Sequence, residues 1–328
     1  MFLRRGGSHM VAFLLVSALF ACCGNAQESA ASRGQTIRVN VTRVNVGVVV
    51  TDDKGKFVEG LLRDAFHVFD NGAEQRITEF APVEDPGQVL LLVEAGPAAY
   101  FLQDANLFAA DAMMKGLAEG DRVAVARYAD APLGLLDFTS DKGAAQAAFS
   151  SIQFNLGFAD LNLSSSLTSV LGWLEQIPGK KTIVLISTGV DTSPALAAAA
   201  LEARLRTGDV RILCVSTSGP LHNGKQGSKV KIEQMQDEFQ AADRRLKAIA
   251  ELTGGRAYFP MNGKAFQETY KEVAEIVRHE YSLAFALPAS DGALHSIEVR
   301  VDRSGAGGKS AAATYRVDHR RGYQAPKE

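Results

Sequence analysis

The chain predicts a doubly wound α/β core flanked by an antiparallel β module. Three observations carry that prediction. Residues 86–280 alternate strand-like apolar runs with helix-periodic segments, the pattern of a parallel sheet covered on both sides. Residues 36–85 and 281–328 read instead as alternating strands and tight turns without a helical period. Neither flank alone holds enough strands for a self-sufficient sheet, so the C-terminal strands are expected to pack with the N-terminal module.

The core is organised around Gln88–Tyr100, QVLLLVEAGPAAY. Val89 to Leu92 are apolar without alternation, as in a strand buried on both faces. Glu94 ends the run, and Ala95-Gly96-Pro97 turns the chain into a helical segment, Ala98–Ala118. A strand leading through a tight turn into a helix is where doubly wound proteins place their ligand site. Further strands are expected at Val123–Tyr128, Leu133–Phe138, Thr182–Ser187, Val210–Val215 and Ala257–Phe259. Helices are expected at Ala144–Phe149, Leu163–Ile177, Leu196–Thr207, Ile232–Leu252 and Lys264–Arg278. The clearest of them spaces Met235, Phe239, Ala242, Leu246 and Ile249 three or four apart and stops at Gly254-Gly255. Trp173, with Leu167, Val170, Leu171 and Leu174, reads as core rather than as a binding box.

In the flanks, Ile37–Val50 alternates, and Asp52-Asp53-Lys54-Gly55 makes a turn. Asn71-Gly72, between His67–Phe69 and Gln75–Phe80, is the strongest hairpin signal in the chain. Ser282–Leu287, Ser296–Asp302 and Ala313–Val317 read as C-terminal strands.

The N-terminus reads as a targeting segment, residues 1–26. Arg4 and Arg5 precede the short apolar run Met10–Ala21, and Gly24-Asn25-Ala26 offers small residues for cleavage after Ala26. A second route stays open: Leu19-Phe20-Ala21-Cys22 resembles a lipobox, and lipidation at Cys22 would tether the chain to a membrane. Residues 27–35 then form a flexible tether. Export is therefore expected, to the periplasm or medium, with a membrane-anchored lipoprotein as the alternative. Past Ala26 there remain 33 basic and 37 acidic residues and one cysteine, Cys214, inside a predicted core strand. That excludes an internal disulfide and gives no basic cluster for nucleic acid.

Several stretches resemble the von Willebrand factor A (VWA) family. Gln88–Tyr100 is similar to its first strand and metal loop, and Leu246–Pro260 to the end of its fifth helix and the turn into the last strand. Val48–Phe80 and the ending Arg320-Arg321-Gly322-Tyr323 are similar to the acidobacterial VWFA-related proteins. Together these cover nearly all of the chain past residue 26. The resemblance implies a Rossmann-like VWA core that works through protein partners.

The family's metal-ion-dependent adhesion site uses Asp-x-Ser-x-Ser, a Thr in a second loop and an Asp in a third. Here the corresponding positions are Glu94, Gly96, Ala98, Leu161 and Thr188. Hard divalent cations take near-octahedral oxygen ligands, and this set offers one carboxylate and one hydroxyl. The site is therefore expected to be degenerate, with no cofactor, and Mg²⁺ is disfavoured. Glu94 is expected to be a solvated remnant, and Asp191 to cap the helix that follows it.

Other chemistries find little support. Gly219–Gln226 nearly matches a P-loop, but Gln226 stands where Ser or Thr belongs and the next helix starts late. No histidine pairs at metal-ligand spacing, and Ser164–Ser166 lacks the glycines of a nucleophile elbow. The chain is thus expected not to be an enzyme. It is read as a protein-interaction or adhesion module of the cell envelope, with contacts on loops that carry Glu94, Pro97, Leu156, Phe158, Asp160, Leu161, Asp191 and His222. Two alternatives are a metal-dependent adhesin with a non-standard ligand set and an envelope assembly scaffold acting through its β module.

Overall fold

In the computed structural model, residues 43–83, 86–96, 111–154, 160–219, 229–302 and 315–327 are described. The expected targeting segment and tether, Pro97, Ala98, Leu156, Phe158 and His222 lie outside them. Strands β5 (Gln88–Glu94), β6 (Arg122–Tyr128), β7 (Pro132–Thr139), β8 (Lys181–Ser187), β9 (Arg211–Ser216) and β10 (Ala257–Tyr258) form one sheet, in the order β10-β9-β8-β5-β6-β7. β5 is central and runs parallel to both β6 and β8. Its apolar run is divided by parity. Val89, Leu91 and Val93 join one core cluster while Leu90 and Leu92 join the other.

Helices cover both faces. On one lie helical residues 111–116, α1 (Lys142–Ser150) and α5 (Gly263–Arg278), which bury Met113, Phe149, Phe266 and Tyr270. On the other lie α2 (Leu163–Leu174), α3 (Ala195–Thr207) and α4 (Lys229–Leu252), which bury Leu167, Leu205 and Leu246. Asp141 starts α1 by accepting from the Ala144 N–H at 2.9 Å, and Asn262 starts α5 by accepting from the Ala265 N–H at 3.0 Å.

The flanking strands are β1 (Arg43–Thr51), β2 (Phe66–Asp70), β3 (Ala73–Gln75), β4 (Ile77–Val83), β11 (Glu280–Ala286), β12 (Leu294–Val301), β13 (Arg316–Asp318) and β14 (Gly322–Gln324). They make two four-stranded antiparallel sheets, β13-β1-β11-β4 and β14-β12-β2-β3. Each sheet mixes strands from both ends of the chain. Aromatic contacts cross between them: Phe66 lies 5.0 Å from Tyr281, and Phe285 lies 6.2 Å from Tyr323, centroid to centroid.

The module is fastened to the core by charge and by close backbone approach. Arg256, just ahead of β10, donates to Thr51 at 3.1 Å and pairs with Asp318 and Glu272. The expected Gly254-Gly255 stop also lets two segments meet. A Cβ on Gly255 would fall 1.9 Å from the Ile212 carbonyl oxygen, and one on Gly254 would fall 2.3 Å from the His319 carbonyl carbon. In the Arg320–Tyr323 ending, Gly322 packs against His295 in the same way, and Tyr323 hydrogen-bonds Asp70.

Three expectations are corrected. The sheet is not wholly parallel, because β7 pairs antiparallel with β6. Only Ala129–Ala131 separate these strands, too few for a crossover. The run Gln75–Phe80 is not one hairpin arm. β3 ends at Gln75, and the chain crosses at Arg76 so that β4 pairs with β11 in the other sheet. Trp173 is not core: it sits partly exposed on α2 and stacks on Phe138 of β7 at 5.4 Å.

Candidate functional site

In the sheet, the chain leaves β5 first to one side, for β6, and later to the other, for β8. The crevice at the C-terminal ends of β5 and β8 is therefore the topological switch point, the usual ligand position of this architecture. Here protein side chains fill it. Glu94 closes β5 and is fully buried, not solvated as the sequence suggested. Its Oε2 accepts from the Thr188 N–H and the Thr188 hydroxyl, both at 2.8 Å, and from the Ser187 hydroxyl at 2.9 Å. Tyr128, at the end of β6, adds a longer contact at 3.3 Å, and its hydroxyl lies 2.7 Å from Ser187 Oγ.

The other oxygen, Oε1, is buried without a hydrogen-bond partner among the described residues. It faces the Gly96 position, where a Cβ would lie 3.3 Å from Oε1 and 3.0 Å from Leu161 Cδ2. Leu161 thus sets an apolar side chain against the space beside the carboxyl. Burial raises the pKa of Glu94, and the donors from Thr188, Ser187 and Tyr128 offset that only in part.

Asp191 does not cap the helix after it. Its Oδ1 accepts from the Ser164 and Ser193 N–H groups, at 3.3 and 3.0 Å, and its Oδ2 from the Ser164 hydroxyl at 2.5 Å. Ser164 lies in the first turn of α2, so Asp191 caps that earlier helix from across the crevice. Burial raises its pKa, but the Ser164 and Ser193 bonds outweigh this and hold it below the usual carboxylate value. Thr192 completes the stitching: its hydroxyl accepts from the Leu161 N–H and its N–H donates to the Leu161 carbonyl, both at 2.9 Å. Arg245 of α4 donates to the Gly189 carbonyl at 2.6 Å.

Glu94, Gly96, Leu161 and Thr188 therefore meet in one place, whereas Asp160 is exposed, and neither it nor Asp191 hydrogen-bonds Glu94 among the described residues. The donor set does not fit a hard divalent cation. Oε2 is occupied by protein donors, Oε1 faces Gly96 and a leucine methyl, and both Asp191 oxygens are taken. No three His, Cys, Asp or Glu side chains gather to hold a metal ion among the described residues. Cys214 is buried in β9, and burial pushes its thiol pKa far up, which disfavours the thiolate. The sequence placed Tyr128 and Ser187 only at strand ends, and it gave no individual role to Thr192 or Arg245. Only the polar ends of the apolar runs at Tyr128 and Ser187 could have signalled the first two.

No model of a protein family matches the chain, and no curated protein matches it. Solved structures do resemble it. A von Willebrand factor type A protein from Catenulispora acidiphila aligns with a TM-score of 0.47 and 10% identity, over 87% of this chain and 75% of that one. An aerotolerance-related membrane protein from Bacteroides fragilis aligns with a TM-score of 0.42 and 12% identity, over 58% and 98%. The conserved hypothetical protein BatB from Bacteroides thetaiotaomicron aligns with a TM-score of 0.41 and 14% identity, again over 58% and 98%. No helix among the described residues is long and apolar enough to cross a membrane.

Proposed function

We propose that the chain is an exported, non-catalytic VWA-like module of the cell envelope that binds protein partners without a metal. The buried state of Glu94 carries this reading. A carboxylate that would anchor a cation is spent on Tyr128, Ser187 and Thr188, and Leu161 stands beside it where a ligand oxygen would be needed. The apolar run behind Arg4 and Arg5 supports export.

With the crevice filled, contact with a partner falls to the rim of the same sheet end. Asp160, Thr192 and Pro194 are exposed there, as are two large apolar side chains. Leu196, at the start of α3, is 82% exposed, and Met261 stands beside Gly219, just past the end of β9. Such a rim binds by shape and apolar area.

The test compares capture of envelope proteins by the wild-type chain and by Leu196→Asp/Met261→Asp, with and without EDTA. Specific capture that survives EDTA and is lost in the double variant is expected. Capture abolished by EDTA, together with saturable Mg²⁺ or Mn²⁺ binding that disappears in Glu94→Ala, would overturn the metal-free reading.

A further inference from the structure

At the opposite end of the parallel sheet, a cavity of about 430 Å³ opens between the N-terminal ends of β8 and β9 and strands β1 and β11. Arg43, Lys180, Lys181, Arg211 and Arg320 line it, against the carboxylates of Glu79, Asp209 and Glu280. Depth matters more than this count. The side chains of Lys180, Lys181 and Arg211 are 10%, 8% and 8% exposed, and Glu280 at 12% is the one lining carboxylate buried to a similar degree. Glu79 and Asp209 are 59% and 66% exposed, so water screens them.

Glu280 is also shared, with Arg211 Nη1 at 2.9 Å and Lys180 Nζ at 3.9 Å. Among the described residues Lys181 has only the outlying Asp209 at 3.1 Å and the Ile177 carbonyl at 3.4 Å. Arg320 makes no ion pair among the described residues. Its Nη2 donates to the Asn45 carbonyl at 2.8 Å, and its Nε is buried without an acceptor. Burial holds its pKa below the usual arginine value, with the field of Asp209 opposing. Cations buried in excess of anions are strongly unfavourable unless something else neutralises them. Gly47 adds room: a Cβ there would sit 2.8 Å from Glu280 Oε2 and 3.4 Å from Arg211 Nη2.

We propose that this cavity binds a small dianion of the phosphate class, held by Lys181, Arg211 and Arg320. With Lys180 left aside, the lining holds Lys181, Arg211 and Arg320 against one carboxylate of similar depth, Glu280, among the described residues, a difference that a dianion balances. Planar guanidinium groups suit its paired oxygens, and Arg211 Nη2 has no hydrogen bond among the described residues. The cavity is larger than phosphate itself, which leaves space for the organic part of a phosphomonoester. The site lies away from Glu94 and stands independently of the interaction reading.

The test is isothermal titration of the full chain with inorganic phosphate and with glycerol phosphate at pH 7, with ionic strength fixed by sodium chloride. Saturable binding is expected, weakened at least tenfold by Arg320→Gln and unchanged by Lys264→Gln on the exposed side of α5. Arg320→Lys, which keeps the charge but not the fork, is expected to bind with intermediate affinity. Tighter binding of the monoester identifies an organic phosphate and tighter binding of phosphate a free ion; either supports the site. If Arg320→Gln does not fold by circular dichroism, Lys181→Gln replaces it with the same expected loss. No saturable heat from either ligand, or equal binding by the folded variants, overturns the proposal.

Discussion

Glu94 and Thr188 join the C-terminal ends of β5 and β8 through two hydrogen bonds to one carboxylate oxygen, both 2.8 Å long. The bond pair spans the switch point of the sheet, so what would be a ligand crevice works as a structural tie. Its remaining oxygen has no hydrogen-bond partner among the described residues, and burial favours the protonated form.

The raised pKa of Glu94 has a definite sign in stability. The folded state holds the proton more tightly than the unfolded state, so this contribution is fully present below the unfolded pKa of about 4.5. It is lost as pH rises through the folded value. Glu94→Gln, which is neutral at every pH, is expected to gain on the wild type as pH rises from about 4 to 7. Melting temperatures of both proteins across that range check it; a constant difference would show that Glu94 titrates normally.

Gly96 and Leu161 are coupled by space. A methyl at residue 96 would press on Leu161 Cδ2 at 3.0 Å. Gly96→Ala is expected to cost about 1–3 kcal/mol, with much of that recovered in a Leu161→Ala background. Denaturant unfolding of the four proteins of this cycle measures the coupling, and additive effects would mean the two sites do not touch.

Two buried histidines should titrate on opposite sides of 6.5. His295 Nδ1 lies 2.7 Å from Asp70 Oδ1, and that bond raises its pKa against the lowering effect of burial, with Asp291 helping. Its stabilising share is present below 6.5 and lost as pH rises through the folded value. His319 accepts from the Val299 N–H at 3.2 Å and is buried, which lowers its pKa. Its share is present above 6.5 and lost as pH falls through the folded value. Imidazole chemical shifts followed by NMR from pH 4 to 9 distinguish them, and Asp70→Asn should drop the His295 value.

Gly255 admits no side chain. A Cβ there would lie 1.9 Å from the Ile212 carbonyl oxygen, which belongs to β9, held between β8 and β10, and cannot yield. Gly255→Ala is expected to lose on the order of 3 kcal/mol or more, read as a fall in urea midpoint. Gly134→Ala, with open space around it, serves as the control.

The core was legible because parity and period are local. The unbroken run Val89–Leu92 splits between two faces whatever its neighbours do, and the spacing of Ala242, Leu246 and Ile249 buries one helix face. The site was legible only as positions. That Glu94, Gly96, Leu161 and Thr188 meet came from a resemblance, while the burial of Glu94 depends on Tyr128, Ser187 and Leu161, three segments apart in the chain. A lone glutamate at a strand end carries no mark of that. Asp191 was misread for a similar reason, since its cap reaches backwards to Ser164 rather than forwards. The direction of β7 was there to be read, as Ala129–Ala131 are too few for anything but a hairpin.

Each four-stranded sheet holds a strand from before residue 84 next to one from after residue 279. Val48 pairs with Tyr281, and Val68 with Val299, so these ladders close loops of more than 200 residues. Strands β1 and β4 must wait, unpaired, until the core between them and their partners has been made, while β2 can meet only its hairpin neighbour β3. Such distant pairing is slow to form and leaves strand edges open meanwhile. A chain made from one end to the other therefore stays unfinished at both of its flanks until residues 316–324 arrive to lay down the outer strands β13 and β14. The last residues to be made therefore decide when both flanking sheets close.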